Sequence, residues 1–149
     1  MLSVLRQRDY ALLWTGGLVS SLGDWFLFIA LPFYIYQLTG STLATGGMFI
    51  AESLPSVLFG SLAGVFVDRW DRRKTMVISD LGRGVLLLVL LDGQVANRVG
   101  VIFVVVFVQS AIGQFFGPAK SALIPRLVSE SDLVSANSLS SVSGEFTRL

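Results

Sequence analysis

Acidic and basic side chains interrupt stretches of this sequence that are otherwise built of apolar residues. Asp24 falls inside the run from Leu12 to Tyr36, Glu52 inside the run from Leu43 to Val67, and Asp80 and Arg83 inside the run from Thr75 to Leu91. Glu145 and Arg148 repeat the three-residue spacing of Asp80 and Arg83 near the end of the sequence. In hydrocarbon an ionised carboxylate costs about 2.5 to 3.5 kcal/mol on insertion scales, several times what a neighbouring Leu or Phe returns, so something must offset it. Two chemistries do so. A carboxyl can take up and release a proton or face a substrate, the reading that makes Asp24 and Glu52 candidates. Alternatively, it can hydrogen-bond a neighbouring helix, or a backbone group freed near Pro32. Asp80 with Arg83, and Glu145 with Arg148, have the spacing of ion pairs on one helix face, and Arg83 is long enough to snorkel.

The medium for such chemistry follows from composition. Of 149 residues, 53% are hydrophobic and 14% charged, against roughly 25% charged in soluble domains, so the expected environment is a lipid bilayer. There is no cysteine and no histidine, which removes disulfides, thiolate metal sites and zinc chemistry, and no cofactor is expected. A formal net charge of +1 carries no field for nucleic acid, and no nucleic-acid partner is expected. Arg6 and Arg8 precede an apolar run too long for a signal core and without a small-residue cleavage site, so the first segment is expected to be retained.

A helix of about 20 apolar residues crosses a hydrocarbon core of about 30 Å, and that length sets the elements. It predicts one transmembrane domain over 1–149, all α, with spans at about 12–36, 43–67, 75–91 and 99–117 and a partial one at 133–149. Pro118 is expected to bend or stop the fourth helix, with Gly113 and Gly117 marking close helix packing before it. Ser129, with Asp132 three residues on, has the pattern of an N-cap for the fifth. No glycine stop or closing polar segment follows, so that helix is expected to be unfinished. Trp25, Phe26, Phe28, Phe33, Tyr34 and Tyr36 are expected mostly to face lipid or the interface, a minority lining a cavity.

Between the second and third spans, the seven residues Asp68–Lys74 hold six charges. Arg6 and Arg8, Arg69, Arg72, Arg73 and Lys74, then Lys120 and Arg126 make eight basic residues at the N-terminus and after the even-numbered spans, against Arg98 alone in the other loops. That asymmetry predicts a cytoplasmic N-terminus in a multi-pass protein of the cell membrane. Orientation explains the bases but not Asp68 and Asp71, because acids contribute little to it. Gly60, Gly64 and Asp68 fall four apart on one helix stripe, where two glycines admit a close partner helix and the aspartate can meet a helix N-terminus or an arginine at the rim.

The pattern Gly60-x3-Gly64-x3-Asp68-Arg69-x-Asp71-Arg72-Arg73-Lys74 resembles the loop-two signature of the major facilitator superfamily. DYALLWTGGLVSSLGDW and FFGPAKSALIP are similar to its drug- and macrolide-exporter branch. The resemblance covers essentially the whole sequence but about the first third of such a transporter. It implies the N-terminal part of the major facilitator fold, four transmembrane helices plus the start of a fifth, whose partners are the remaining helices. By the same resemblance Asp68 and Arg69 are charges of a cytoplasmic latch between the transporter's halves, with Arg72, Arg73 and Lys74 as basic companions, and Asp71 stands where many members carry glycine. It also makes Glu145 the candidate coupling carboxylate of the fifth helix. Gln109 and Gln114 occupy the stretch of the fourth helix where proton-driven members carry an arginine.

At an offset of 90 residues, SSLGDWF (20–26) lies over SAIGQFF (110–116) and LATGG (43–47) over LVSAN (133–137), as an inverted three-plus-three repeat requires. The function expected is a transporter, not an enzyme: proton-coupled efflux of a small amphiphilic substrate such as a macrolide, with protons as the coupling ion. A siderophore or lysophospholipid exporter of the same fold is the alternative. A small four-helix membrane protein, acting as a dimeric multidrug transporter or as a non-transporting partner, is the other. The truncated sequence alone is expected not to transport.

Overall fold

The structure is a computed structural model that describes residues 2–92 and 97–146, with side chains for 4–92 and 97–143. A 3-10 turn, Leu2–Arg6, leads into α1 (Arg8–Thr39), followed by α2 (Thr42–Arg69), α3 (Arg72–Leu90), α4 (Val99–Leu127), a 3-10 turn at Glu130–Asp132 and α5 (Leu133–Phe146). No strand occurs among the described residues. The chain divides into two compact units, 1–28 with 120–149, and 29–119, and α1 and α4 each run through both.

Local chemistry explains the short links. Gly40 takes φ +62°, a left-handed conformation that costs glycine nothing, and its N–H bonds Tyr36 O at 2.8 Å to close α1. Ser41 then caps α2, its Oγ accepting from Ala44 N at 3.2 Å. Two residues therefore suffice to turn the chain.

α1, α2 and α4 are each long and apolar enough to cross a membrane. Their outward faces carry large apolar side chains such as Val19, Phe26, Ile29, Phe33, Leu43, Val57 and Val104, all exposed. A surface of this kind would drive aggregation in water and is solvated in lipid. α3 has 19 residues, but Arg72, Arg73, Lys74, Asp80 and Arg83 lower its apolar content below that of the other three. Its faces are reversed relative to a soluble helix: Thr75, Met76, Ser79 and Arg83 are buried, while Val77, Ile78, Leu81, Val85 and Leu88 are exposed. Apolar side chains outward and polar groups inward is the arrangement that a hydrocarbon environment favours.

In the first unit, Val4, Tyr10, Ile124 and Ala136 form the core, flanked by Leu13, Trp14, Leu133 and Leu139. The Tyr10 hydroxyl donates to Ala136 O at 2.8 Å, and Trp14 Nε1 donates to Leu139 O at 3.3 Å, fastening α5 along α1. In the second unit, Ile35, Met48, Ile102 and Val106 pack with Tyr34, Ala44, Leu90 and Phe103. There a β-carbon on Gly47 would come within 3.2 Å of the Phe103 ring, so α2 and α4 approach closely at that glycine.

Three expectations change. α4 does not stop at Pro118 but continues to Leu127 through Pro118 and Pro125. Each proline removes one helical donor, and the helix continues on the remaining ladder; one turn before Pro118, Gln114 Nε2 donates to Ser110 O at 3.2 Å. Gly113 and Gly117 make no close approach among the described residues, since a β-carbon at either would meet nothing within 4 Å. Ser129 caps a 3-10 turn instead of α5 directly, and its hydroxyl donates to the Asp132 carboxylate at 3.0 Å instead of accepting a backbone N–H.

Candidate functional site

The charged stretch after α2 is built as a rigid corner. Asp68 and Arg69 are the last residues of α2, Trp70 and Asp71 make the link, and Arg72, Arg73 and Lys74 form the first turn of α3. Three cations at a helix N-terminus oppose the helix dipole. Asp71 offsets this: its Oδ1 accepts from Lys74 N at 2.8 Å, and its carbonyl receives both Thr75 N and Thr75 Oγ1 at 2.9 Å. Asp71 is thus the N-cap of α3.

Trp70 fixes the corner from its other side. Its ring lies 5.6 Å from Phe66 on α2 and 5.9 Å from Phe115 on α4, the latter nearly parallel at 23°. Pairs of this geometry contribute about 0.5 to 1.5 kcal/mol beyond the area they bury. Sequence reasoning missed both the capping role of Asp71 and the anchoring role of Trp70; a lone tryptophan among six charges was the available signal.

On α2 itself, Asp68 is exposed one turn before the corner. A β-carbon on Gly64 would meet nothing within 4 Å, and one on Gly60 would lie 3.9 Å from Gln114 Oε1, an ordinary contact. The stripe of Gly60, Gly64 and Asp68 therefore has no tightly packed neighbour among the described residues.

The charges within the helices are distributed over both units. Asp24 is half-buried on α1, which runs unbroken through Pro32. Nearby, Trp25 and Phe28 pack edge to face with centroids 5.2 Å apart, whereas Phe26, Phe33 and Tyr36 are exposed. Glu52 is half-buried on α2, and its backbone carbonyl accepts a 2.6 Å hydrogen bond from Ser110 Oγ of α4. On α3, Arg83 Nη1 lies 3.9 Å from Asp80 Oδ1; the arginine is 7% exposed and does not snorkel to the surface. Gln109 Oε1 is buried without a hydrogen-bond donor among the described residues. The Glu145 side chain and Arg148 lie outside the described residues.

Lys120 was expected in a cytoplasmic loop after the fourth span. It lies instead within α4, half-buried, with Nζ 3.0 Å from the place a β-carbon on the buried Gly17 would take. The helix continues past Pro118, and this carries the lysine onto α1. Arg126 also belongs to the last turn of α4.

Among the described residues no three acidic side chains gather in a way that could hold a metal. The arrangement is a set of helices with uncovered apolar faces, a braced charged corner and single polar groups at depth.

Residues 1–149 match, along their whole length, the profile of a family described as transmembrane secretion effector, one of the major facilitator group. The chain belongs to the major facilitator superfamily. This major facilitator chain is 31% identical over 125 residues to the MFS-type transporter YfiS of Bacillus subtilis, which covers 83% of the chain and 29% of that protein. Macrolide efflux protein A of Streptococcus pyogenes is 33% identical over 123 residues, 81% of the chain and 30% of that protein. The putative bacilysin exporter BacE of Bacillus subtilis is 36% identical over 95 residues, 64% of the chain and 23% of that protein. The chain thus spans about three tenths of the length of the first two of these relatives. No solved structure matches it. Family and helices together make it an all-α membrane protein with the N-terminal part of a major facilitator fold.

Proposed function

We propose that this chain is the N-terminal portion of a secondary-active exporter, a multi-pass protein of the cell membrane with its N-terminus in the cytoplasm. α3 serves as a fourth span beside α1, α2 and α4, and α5 begins a fifth. The exporter moves small amphiphilic molecules, macrolides among them, in exchange for protons, with no enzymatic step. The proposal draws on the relatives whose names carry export and on the polar groups set into apolar helices.

One observation carries it: the glycine stripe of α2 ends in an exposed Asp68, beside a corner that Trp70 and Asp71 brace. Glycines without a tightly packed neighbour among the described residues, followed by an exposed carboxylate at the end of a membrane helix, fit a surface made for another helix, here supplied by the transporter's other half. Asp68 and Arg69 then act as a latch that favours one of two rocking states, with Arg72, Arg73 and Lys74 as companions. Asp24, Glu52 and Glu145 are the groups that exchange protons or meet substrate, and Asp80 with Arg83 holds α3.

The test is flux of a macrolide in proteoliposomes with an imposed pH gradient, using a full-length transporter that contains this chain. Asp68→Asn should cut flux by at least about tenfold, equivalent to a ~1.4 kcal/mol shift between states, while Arg6→Gln stays within about twofold. Equal small effects would reduce the corner to an orientation signal. The 149-residue chain alone should move nothing, because Asp24 and Glu52 lack the walls formed by the remaining helices. Gradient-dependent flux by that chain, lost in Asp24→Asn, would favour the dimeric small-transporter reading.

A further inference from the structure

Two polar side chains of the second unit each lack, among the described residues, the partner that the other could supply. Gln109 Oε1 is buried without a hydrogen-bond donor. The Glu52 carboxyl is half-buried, and no described side chain is hydrogen-bonded or ion-paired to it; the 2.6 Å bond at this residue runs from Ser110 Oγ to the backbone carbonyl. An amide oxygen only accepts, and a carboxyl becomes a donor only when protonated.

Both residues lie on the buried faces of adjoining helices. Met48, Glu52, Pro55, Ala63 and Val67 share one face of α2, and the four besides Glu52 are buried. On α4, Gln109 follows the buried Ile102, Val105 and Val106 by seven, four and three positions, so it shares their face. The two helices run parallel, because Gly47 meets Phe103, Glu52 meets Ser110 and Gly60 meets Gln114, at offsets of 54 to 58 positions. Gln109 is 57 positions after Glu52 and therefore stands at its level.

Other charges are remote or engaged. α2 carries none between Glu52 and Asp68, roughly 24 Å further along the helix, and α4 none between Arg98 and Lys120. On α3 the Arg83 guanidinium lies 3.9 Å from Asp80, and α1 adds only Tyr34 and Tyr36 to this unit.

We infer that Gln109 is the positioning residue of Glu52: the protonated carboxyl donates its O–H to Gln109 Oε1, and the amide Nε2 returns a hydrogen bond to the acid's carbonyl oxygen. Taking up one proton removes the carboxylate's charge and creates the donor that the buried oxygen lacks, so the pair closes; releasing the proton opens it. The inference rests on the reading of Glu52 as a proton-exchanging group and names the residue that holds its proton-loaded form.

Infrared difference spectroscopy of the 149-residue chain in lipid, titrated with acid, tests the pair. Glu52→Gln identifies the acid carbonyl band of Glu52 by its loss. Gln109→Leu should move that band to higher frequency, as an acid without a hydrogen-bond partner requires, and Gln109→Asn, which keeps an amide, should move it less. Unfolding in mixed micelles at acid pH gives a second readout. There Gln109→Leu should lower the folding equilibrium about fivefold, the equivalent of ~1 kcal/mol, but less than twofold when Glu52 is already leucine. Glu52→Gln, which supplies a neutral N–H donor, and Arg83→Met should each preserve the fivefold effect. An unmoved band, or an equal effect of Gln109→Leu with and without Glu52, would refute the pair. Loss of the effect in Arg83→Met instead would assign the amide to α3 and refute it equally. Neither readout requires transport, so a failure of the pair is distinguishable from a failure of the exporter reading.

Discussion

Lys120 and Gly17 form a contact in which the lysine of one helix lies over the bare backbone of another: a β-carbon on Gly17 would come 3.0 Å from Nζ and 3.5 Å from Cε. The obstacle is the far end of a flexible side chain, which can step aside. At Gly47 the obstacle is the edge of the Phe103 ring, at 3.2 and 3.4 Å, in a packed cluster. Both glycines lie mid-helix, where alanine gains up to about 1 kcal/mol in backbone preference. Gly17→Ala should accordingly be neutral or slightly stabilising, whereas Gly47→Ala should lose up to about 2 kcal/mol net, because overpacking costs about 1 to 3 kcal/mol. Reversible unfolding in mixed detergent micelles ranks the two; equal effects would mean that the ring moves as freely as the lysine.

The two aspartates of the corner should separate by role. Asp71→Ala removes the cap of α3 and should cost about 1 kcal/mol of stability, with Asp71→Ser recovering most of it. Asp68→Asn removes an exposed charge and should leave stability within about 0.5 kcal/mol while disturbing transport in the full-length protein. Thermal melting followed by helicity distinguishes them. A large stability loss at Asp68 would give it a structural place in this chain.

Tyr10 joins α1 to α5 through a buried hydroxyl, 2.8 Å from Ala136 O. Tyr10→Phe keeps the ring and deletes the donor, so stability should fall by about 1 kcal/mol. Hydrogen exchange should rise first in α5, which this bond and that of Trp14 fasten down. Unchanged exchange in α5 would show that apolar packing alone holds it.

Because the chain contains no cysteine, orientation can be measured without background. Asn97 and Ser131 are both exposed, one before α4 and one after it. An impermeant thiol reagent on intact cells should label Asn97→Cys and leave Ser131→Cys untouched until the membrane is opened. The reverse pattern would invert the proposed orientation.

The bilayer as solvent, the helical class and the places where α1, α2 and α4 lie were legible in the sequence, because about 20 consecutive apolar residues have few other uses. The superfamily was legible too, from Gly60 to Lys74, because that stretch keeps its spacing. Composition and short-range spacing determine such features, and both are properties of the chain read in one dimension. The tertiary structure decided which neighbour each polar group meets. Asp71 looked like a loop charge and is a helix cap, since only the path through Trp70 shows whose first turn it precedes. Lys120 looked like a topological charge and lies over Gly17, since a proline leaves the continuation of its helix to packing. Gly113 and Gly117 share the small-residue spacing of close contacts, yet a β-carbon on either would meet nothing within 4 Å among the described residues, while Gly17 and Gly47 are approached by a lysine and a phenylalanine from far along the chain. Spacing names a helix face; which partner that face meets depends on residues about 56 to 103 positions away, beyond the reach of any local pattern.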